Sequence, residues 1–120
     1  MQLRERRRGP ITIIELGGRM VINEDDHPDV LRERVTTLVA DGHRLFGIDL
    51  GGVRQVDTTA LAAVVATHLA AVRRDARLVL MRPSKHLREL FEVTGLDRVF
   101  TICETEEDAV ARLTSSGAAS

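Results

Sequence analysis

Ile48-Asp49-Leu50-Gly51-Gly52-Val53-Arg54-Gln55-Val56-Asp57-Thr58-Thr59-Ala60-Leu61 carries the chain from an apolar run into a helix start. The run begins at Leu45, and its bounds at Gly42-His43 and Gly51-Gly52 give it the form of a short buried strand over Leu45 to Leu50. Val53-Arg54-Gln55 then reads as a turn, and Asp57 as the N-cap of a helix. In that helix Leu61, Val64, Val65, His68, Leu69 and Val72 recur at helical spacing, which predicts that they face a sheet. The other side, Ala62, Ala63, Ala66, Thr67, Ala70 and Ala71, is small and almost uncharged before Arg73-Arg74. Two readings of that side stay open, a docking surface for a partner helix and an Ala-rich face packed under another element. Arg77 to Met81 is the next strand. Strand, helix and strand within the 37 residues from Leu45 to Met81 predict a right-handed crossover and parallel pairing.

Upstream, the turn signal Gly9-Pro10 separates the Arg-rich Gln2 to Arg7 from the apolar Ile11 to Leu16, an expected opening hairpin that ends at Gly17-Gly18. The arginines suit an edge strand that resists aggregation; a nucleic-acid arm is the functional alternative. Asn23 to Asp29 is expected to start a helix, with His27 or Asp26 as cap and Pro28 in the first helical position. The spacing of Asp25, Asp26, His27 and Asp29 matches no calcium loop, so no metal site is expected. Leu31, Val35, Leu38 and Val39 form that helix's inner face, and Gly42 ends it.

Downstream, Pro83-Ser84 starts a helix carrying Leu87, Leu90 and Phe91, stopped by Thr94-Gly95. Val99 to Ile102 reads as a last strand. Thr105-Glu106-Glu107-Asp108 has the form of a capping box before a closing helix with Val110 and Leu113. The expectation is an α/β fold in one domain over residues 1–113, with Thr114 to Ser120 as a flexible tail.

Composition narrows function. With 43% hydrophobic and 29% charged residues and a net charge of -1, bulk charge does not recommend nucleic acid as a partner. The three aromatics, Phe46, Phe91 and Phe100, are too few for stacking platforms. Cys103 is alone, so no internal disulfide or cysteine zinc cluster can form. No export signal is read, and the uncharged helical stretch Thr58 to Val72 is shorter than the roughly 20 residues a membrane span needs. A cytoplasmic protein is expected, with no membrane partner.

Catalytic motifs do not emerge. His27, His43, His68 and His86 are scattered, no glycine-flanked nucleophilic Ser occurs, and no phosphate loop is present. Asp49 lacks the acidic pair and the Lys of a phospho-accepting receiver, so a hydrogen-bonded or edge-facing carboxylate is expected, and Gly51-Gly52 is read as a strand exit. Neither an enzyme nor a cofactor is expected. The turn at Asp57 to Ala60 is more suggestive, because two hydroxyls sit where helix amides are unsatisfied. A phosphate on Thr58 gains from those amides, meets repulsion from Asp57, and adds about -1.5 to -2 charge to a smooth surface. Helix capping alone explains the same spacing. A nucleotide or other small ligand near Gly51 to Thr58 is a further alternative.

With these residues in place, the chain resembles the STAS domain family, and within it the bacterial anti-sigma factor antagonists. The likeness rests on Ile48-Asp49-Leu50-Gly51-Gly52-Val53 followed by Asp57-Thr58-Thr59-Ala60-Leu61, where the family has Asp-Ser-Ser-Gly-Leu, and continues in Arg77 to Leu80, Leu87 to Phe91, Thr94 to Phe100 and the acidic closing helix. It implies a STAS-like mixed β-sheet of about five strands flanked by about four helices. It also implies a regulatory protein whose unphosphorylated form binds an anti-sigma factor protein kinase and which phosphorylation at Thr58, with Thr59 as second choice, switches off. The partner surface would comprise Asp57, Thr58, Thr59, Ala60, Ala62, Ala63, Ala66 and Thr67. A phosphatase and further copies of the chain are additional expected partners. The alternative is a non-catalytic scaffold module of a stressosome-like or sensor assembly. The chain departs from the family pattern at Thr58 for Ser, Ala60 for Gly, Asp75-Ala76 for a glycine pair, and Val21 where some relatives carry Asp.

Overall fold

The structure, a computed structural model, describes residues 2–20 and 29–119. The expected caps His27 and Asp26, Pro28, the acidic Asp25 to His27 segment and Val21 lie outside the described residues. In chain order the elements are β1 (Gln2–Arg8), β2 (Ile11–Met20), α1 (Val30–Ala40), β3 (Leu45–Val56), α2 (Thr58–Arg73), β4 (Arg77–Met81), α3 (Lys85–Thr94), a short 3-10 helix (Leu96–Arg98), β5 (Ile102–Cys103) and α4 (Glu106–Ala119). The mixed five-stranded sheet runs β1-β2-β3-β4-β5, antiparallel at the β1/β2 hairpin and parallel thereafter.

Strand alternation sorts the core into two layers. Ile14, Leu16, Phe46, Ile48, Leu50, Leu78 and Leu80 turn to one face and pack with Leu31 and Val35 of α1, Leu61 and Val64 of α2, and Leu87 and Phe91 of α3. The residues between them, Ile11, Ile13, Val79 and Met81, turn to the other face and meet Cys103 with Ala109 and Leu113 of α4. The three crossover helices therefore share one side, as right-handed connections between strands added in one direction require.

Both central strands are longer than the glycines predict. β2 does not end at Gly17-Gly18, and β3 continues through Gly51-Gly52 and the expected turn at Val53-Arg54-Gln55 to Val56. Gly17 pairs with Gly52 and Gly18 with Val53, so the glycines do not break the strands. Register passes from Glu15↔Asp49 to Gly17↔Gly52, and from Gly18↔Val53 to Arg19↔Gln55, so β3 takes up an extra residue twice. Each extra residue is a β-bulge, and the first shifts parity so that Val53 joins the same buried layer as Leu50. At position 52 a Cβ would lie 3.3 Å from the Leu16 carbonyl oxygen, a tight contact that glycine avoids.

The later elements follow their caps. Ser84 Oγ accepts the Leu87 amide at 3.1 Å to open α3, and Gly95, at φ +78, closes it. Thr105 Oγ1 accepts the Asp108 amide at 3.1 Å to open α4, which runs to Ala119. The last strand is displaced from the expected Val99 to Ile102. Val99 caps the 3-10 helix and is 45% exposed, while Phe100 turns inward onto Phe91 and His68, leaving only Ile102–Cys103 to pair with β4.

Candidate functional site

Asp57 stands at the join of β3 and α2. Its backbone is extended (φ -106°, ψ 174°), and its Oδ1 accepts the Ala60 amide at 2.7 Å. The Leu61 amide donates to the Asp57 carbonyl at 3.0 Å, closing the first turn. Thr58 and Thr59 are the first helical residues and are both exposed. No carboxylate lies within that first turn, so the positive end of the helix dipole faces solvent beside the two hydroxyls, with Asp57 as the adjoining anion.

The helix is rotated from the orientation its large residues predict. Its buried stripe is Ala60 (1% exposed), Leu61, Val64, Thr67 (0%), Ala70 and Ala71, whereas Leu69 (44%) and Val72 (53%) are exposed. Of the expected partner surface, Asp57 is half-buried, Thr58, Thr59 and Ala62 are exposed, and Ala63 and Ala66 are half-buried. Ala60 and Thr67 are corrected: both point into the core and are not on the surface. Small side chains there let α2 lie close against the sheet, and the Thr67 hydroxyl is satisfied internally by donating to the Ala63 carbonyl at 2.8 Å. The spacing of Ala60, Val64, Thr67 and Ala71 is a good helical stripe in its own right. Weighting residues by size rather than by spacing hides it.

Beyond Ala62 and Ala66 the outer surface of α2 runs into a groove shared with α1, where Leu69 lies among Arg32, Arg73 and Arg74. His68 is half-buried on the same helix with its ring edge-on to Phe100 at 5.1 Å. Its Nδ1 has no hydrogen-bond partner among the described residues, and burial lowers its pKa.

Asp49 is a buried structural carboxylate on the central strand, not an edge residue. Its Oδ1 accepts the Gly51 amide at 2.9 Å, and its Oδ2 lies 3.1 Å from Arg82 Nη1 and 3.7 Å from Arg6 Nη2. The Cys103 thiol is buried, and burial raises its pKa, the opposite of an activated nucleophile. Among the described residues no helix is long and apolar enough to cross a membrane.

Known proteins place this architecture. The family profile described as "Mlab, STAS domain" matches residues 4–104. The anti-sigma-B factor antagonist of Staphylococcus aureus is 32% identical over 77 residues, which are 64% of this chain and 71% of the relative. An anti-sigma factor antagonist from Mycobacterium paratuberculosis superposes with a TM-score of 0.77 at 20% identity, over 94% of this chain and 93% of that one. The Bacillus cell fate determinant SpoIIAA, solved in its phosphorylated form, gives a TM-score of 0.67 at 18% identity, over 92% and 98%. The two structures share the fold, and the profile spans the hairpin, the β3–α2 join and β5 alike: the chain belongs to the STAS domain family.

Proposed function

We propose that this protein is an anti-sigma factor antagonist that binds a kinase-type anti-sigma factor through the start and outer face of α2, and that phosphorylation of Thr58 switches this binding off. The observation that carries the reading is the position of Thr58: an exposed hydroxyl on the first residue of a helix capped from the preceding position, beside a surface with little charge until Arg73. The Staphylococcus aureus relative bears the name of an antagonist, and SpoIIAA has been solved both phosphorylated and unphosphorylated. Both support the reading.

The physics of the switch is local. A phosphoryl group on Thr58 would gain from the helix dipole and meet Asp57, so the helix tolerates it. A partner whose surface matches small neutral side chains would instead face about -1.5 to -2 units of new charge and a bulkier side chain. Binding is lost without unfolding.

The test is incubation with the cognate anti-sigma factor and ATP, followed by mass spectrometry and a binding titration. Phosphate is expected on Thr58, with labelling lost and binding kept in Thr58→Ala, and binding weakened in Thr58→Glu. A partner kinase that binds tightly yet leaves Thr58 and Thr59 unmodified would sink the switch. A large stable assembly of this chain alone, with no affinity for any kinase, would point to a scaffold role instead.

A further inference from the structure

The sheet face opposite α1, α2 and α3 is only partly covered. α4 seals the end where Ile11, Ile13, Val79 and Met81 lie. Beyond Glu15 and Asp49 that face opens into a cleft of about 390 Å³, with Gly17, Gly18, Gly51 and Gly52 along its floor and Arg4 and Arg82 among its walls.

Three independent features give this cleft a chemical sign. First, its carboxylates are already engaged: Glu15 with Arg6 at 2.9 Å, and Asp49 with the Gly51 amide and Arg82. The cations keep spare donors. Arg4 makes no hydrogen bond or ion pair among the described residues, and Arg82, with 51% of its side chain exposed, commits only Nη1 to Asp49. Second, Arg82 adopts a left-handed backbone (φ 59°), which is costly for a residue with a Cβ. That turn at the end of β4 folds its guanidinium back over Gly51, where an added Cβ would fall 2.6 Å from Nη2. Third, the first bulge of β3, between Asp49 and Gly52, lies along this floor and interrupts the ladder at the glycines.

We infer that this cleft binds the phosphoryl group of a small phosphomonoester, held by Arg4 and Arg82 above the glycine peptides. Guanidinium forks match phosphate oxygens in geometry and charge. The cleft has room for a sugar phosphate. It offers no aromatic platform for a base, since Phe46, Phe91 and Phe100 are all buried elsewhere. It opens on the side of the sheet away from α2, so the ligand and the partner proposed for Thr58 occupy different surfaces.

The test is an amide-resolved NMR titration of the full chain with ribose 5-phosphate, with ribose and inorganic phosphate in parallel. Saturable shifts are expected at Gly17, Gly18, Gly51, Gly52 and Arg82 with ribose 5-phosphate and none with ribose; the same shifts with inorganic phosphate would support phosphoryl recognition. Arg4→Gln removes a side chain that pairs with nothing described, so the fold is kept, and affinity is expected to fall about tenfold or more. Arg82→Gln, checked for folding by circular dichroism, is expected to abolish the shifts. Absence of saturable shifts up to about 10 mM ligand, an affinity weaker than about -3 kcal/mol, would overturn the assignment. So would unchanged affinity in Arg4→Gln. Neither result depends on a kinase, so the two proposals fail separately.

Discussion

The carboxylate of Asp57 and the amide of Ala60 lie 2.7 Å apart, and this hydrogen bond ties the last residue before α2 to its first turn. Thr58 and Thr59 are held between the two partners. Because the Ala60 methyl is buried, the turn is anchored from the core side as well as by the cap.

Asp57→Ala is therefore expected to cost about 1 kcal/mol of stability, the usual worth of an N-cap. Asp57→Asn should retain most of it, since the amide oxygen still accepts. Urea denaturation read by circular dichroism measures both, and equal losses in the two variants would show that charge, not capping, is what Asp57 contributes.

Ala62 is exposed on α2, whereas Thr67 is wholly buried one and a half turns on. Ala62→Arg should leave stability within about 0.5 kcal/mol, as surface changes usually do. Its partner affinity should fall at least tenfold if the α2 surface docks the anti-sigma factor. Thr67→Arg should unfold the domain by burying a charge. A surface plasmon resonance titration paired with a thermal melt separates the two effects.

Much of this was legible in the sequence, and the errors have physical causes. β4 and the caps at Asp57, Ser84 and Thr105 are local signals that the fold respects. The lengths of β2 and β3 are not local, because they depend on pairing across the two strands, where Gly17 meets Gly52, Gly18 meets Val53, and β3 takes up its extra residues as bulges. The face of α2 depends on how closely the helix approaches the sheet, so small Ala60 and Ala71 outcompete larger Leu69 and Val72 for the core. At the site, the helix start and its Asp57 cap were legible from spacing, whereas the choice of Thr58 came from the family resemblance. Arg82 was missed because no spacing rule connects it with Gly51.

Gly51 shares its space with the Arg82 guanidinium, so Gly51→Ala should push that side chain off and strip Asp49 of its closest cation. A buried carboxylate that loses a partner costs about 1–3 kcal/mol. The loss here should sit at the low end, because the Gly51 amide and Arg6 remain near Asp49. Guanidinium denaturation checks this, and an unperturbed midpoint would show that Arg82 relaxes without cost.

Acid should loosen α4 from the hairpin. Arg6 and Arg8 both hydrogen-bond the Glu106 carboxylate, and these contacts pull its pKa from 4.5 to about 2. A carboxylate with a depressed folded-state pKa stabilises above its unfolded value, so this contribution is complete above pH 4.5 and is lost as pH falls toward 2. Glu106→Gln should be less stable at neutral pH and should lose less on acidification over that window. Thermal melts at a series of pH values measure it. The Glu5 carboxylate, lowered by its hydrogen bond to Arg34, should leave a residual slope in the variant.

His68 should give a second pH dependence, at milder acidity and with the same sign. Its Nδ1 is buried without a described partner and its ring packs on Phe100, so burial lowers its pKa below 6.5 and the folded protein favours neutral imidazole. The unfolded chain takes up the proton more readily. Stability from this group is therefore full above pH 6.5 and declines as pH falls through the lowered folded value. His68→Leu replaces the ring with an apolar side chain that can still meet Phe100, and removes the titration. The variant's melting temperature should change less than the parent's between pH 7.5 and 5.5. Matched slopes over that interval would show that the folded domain hydrates Nδ1 and carries the proton at no cost.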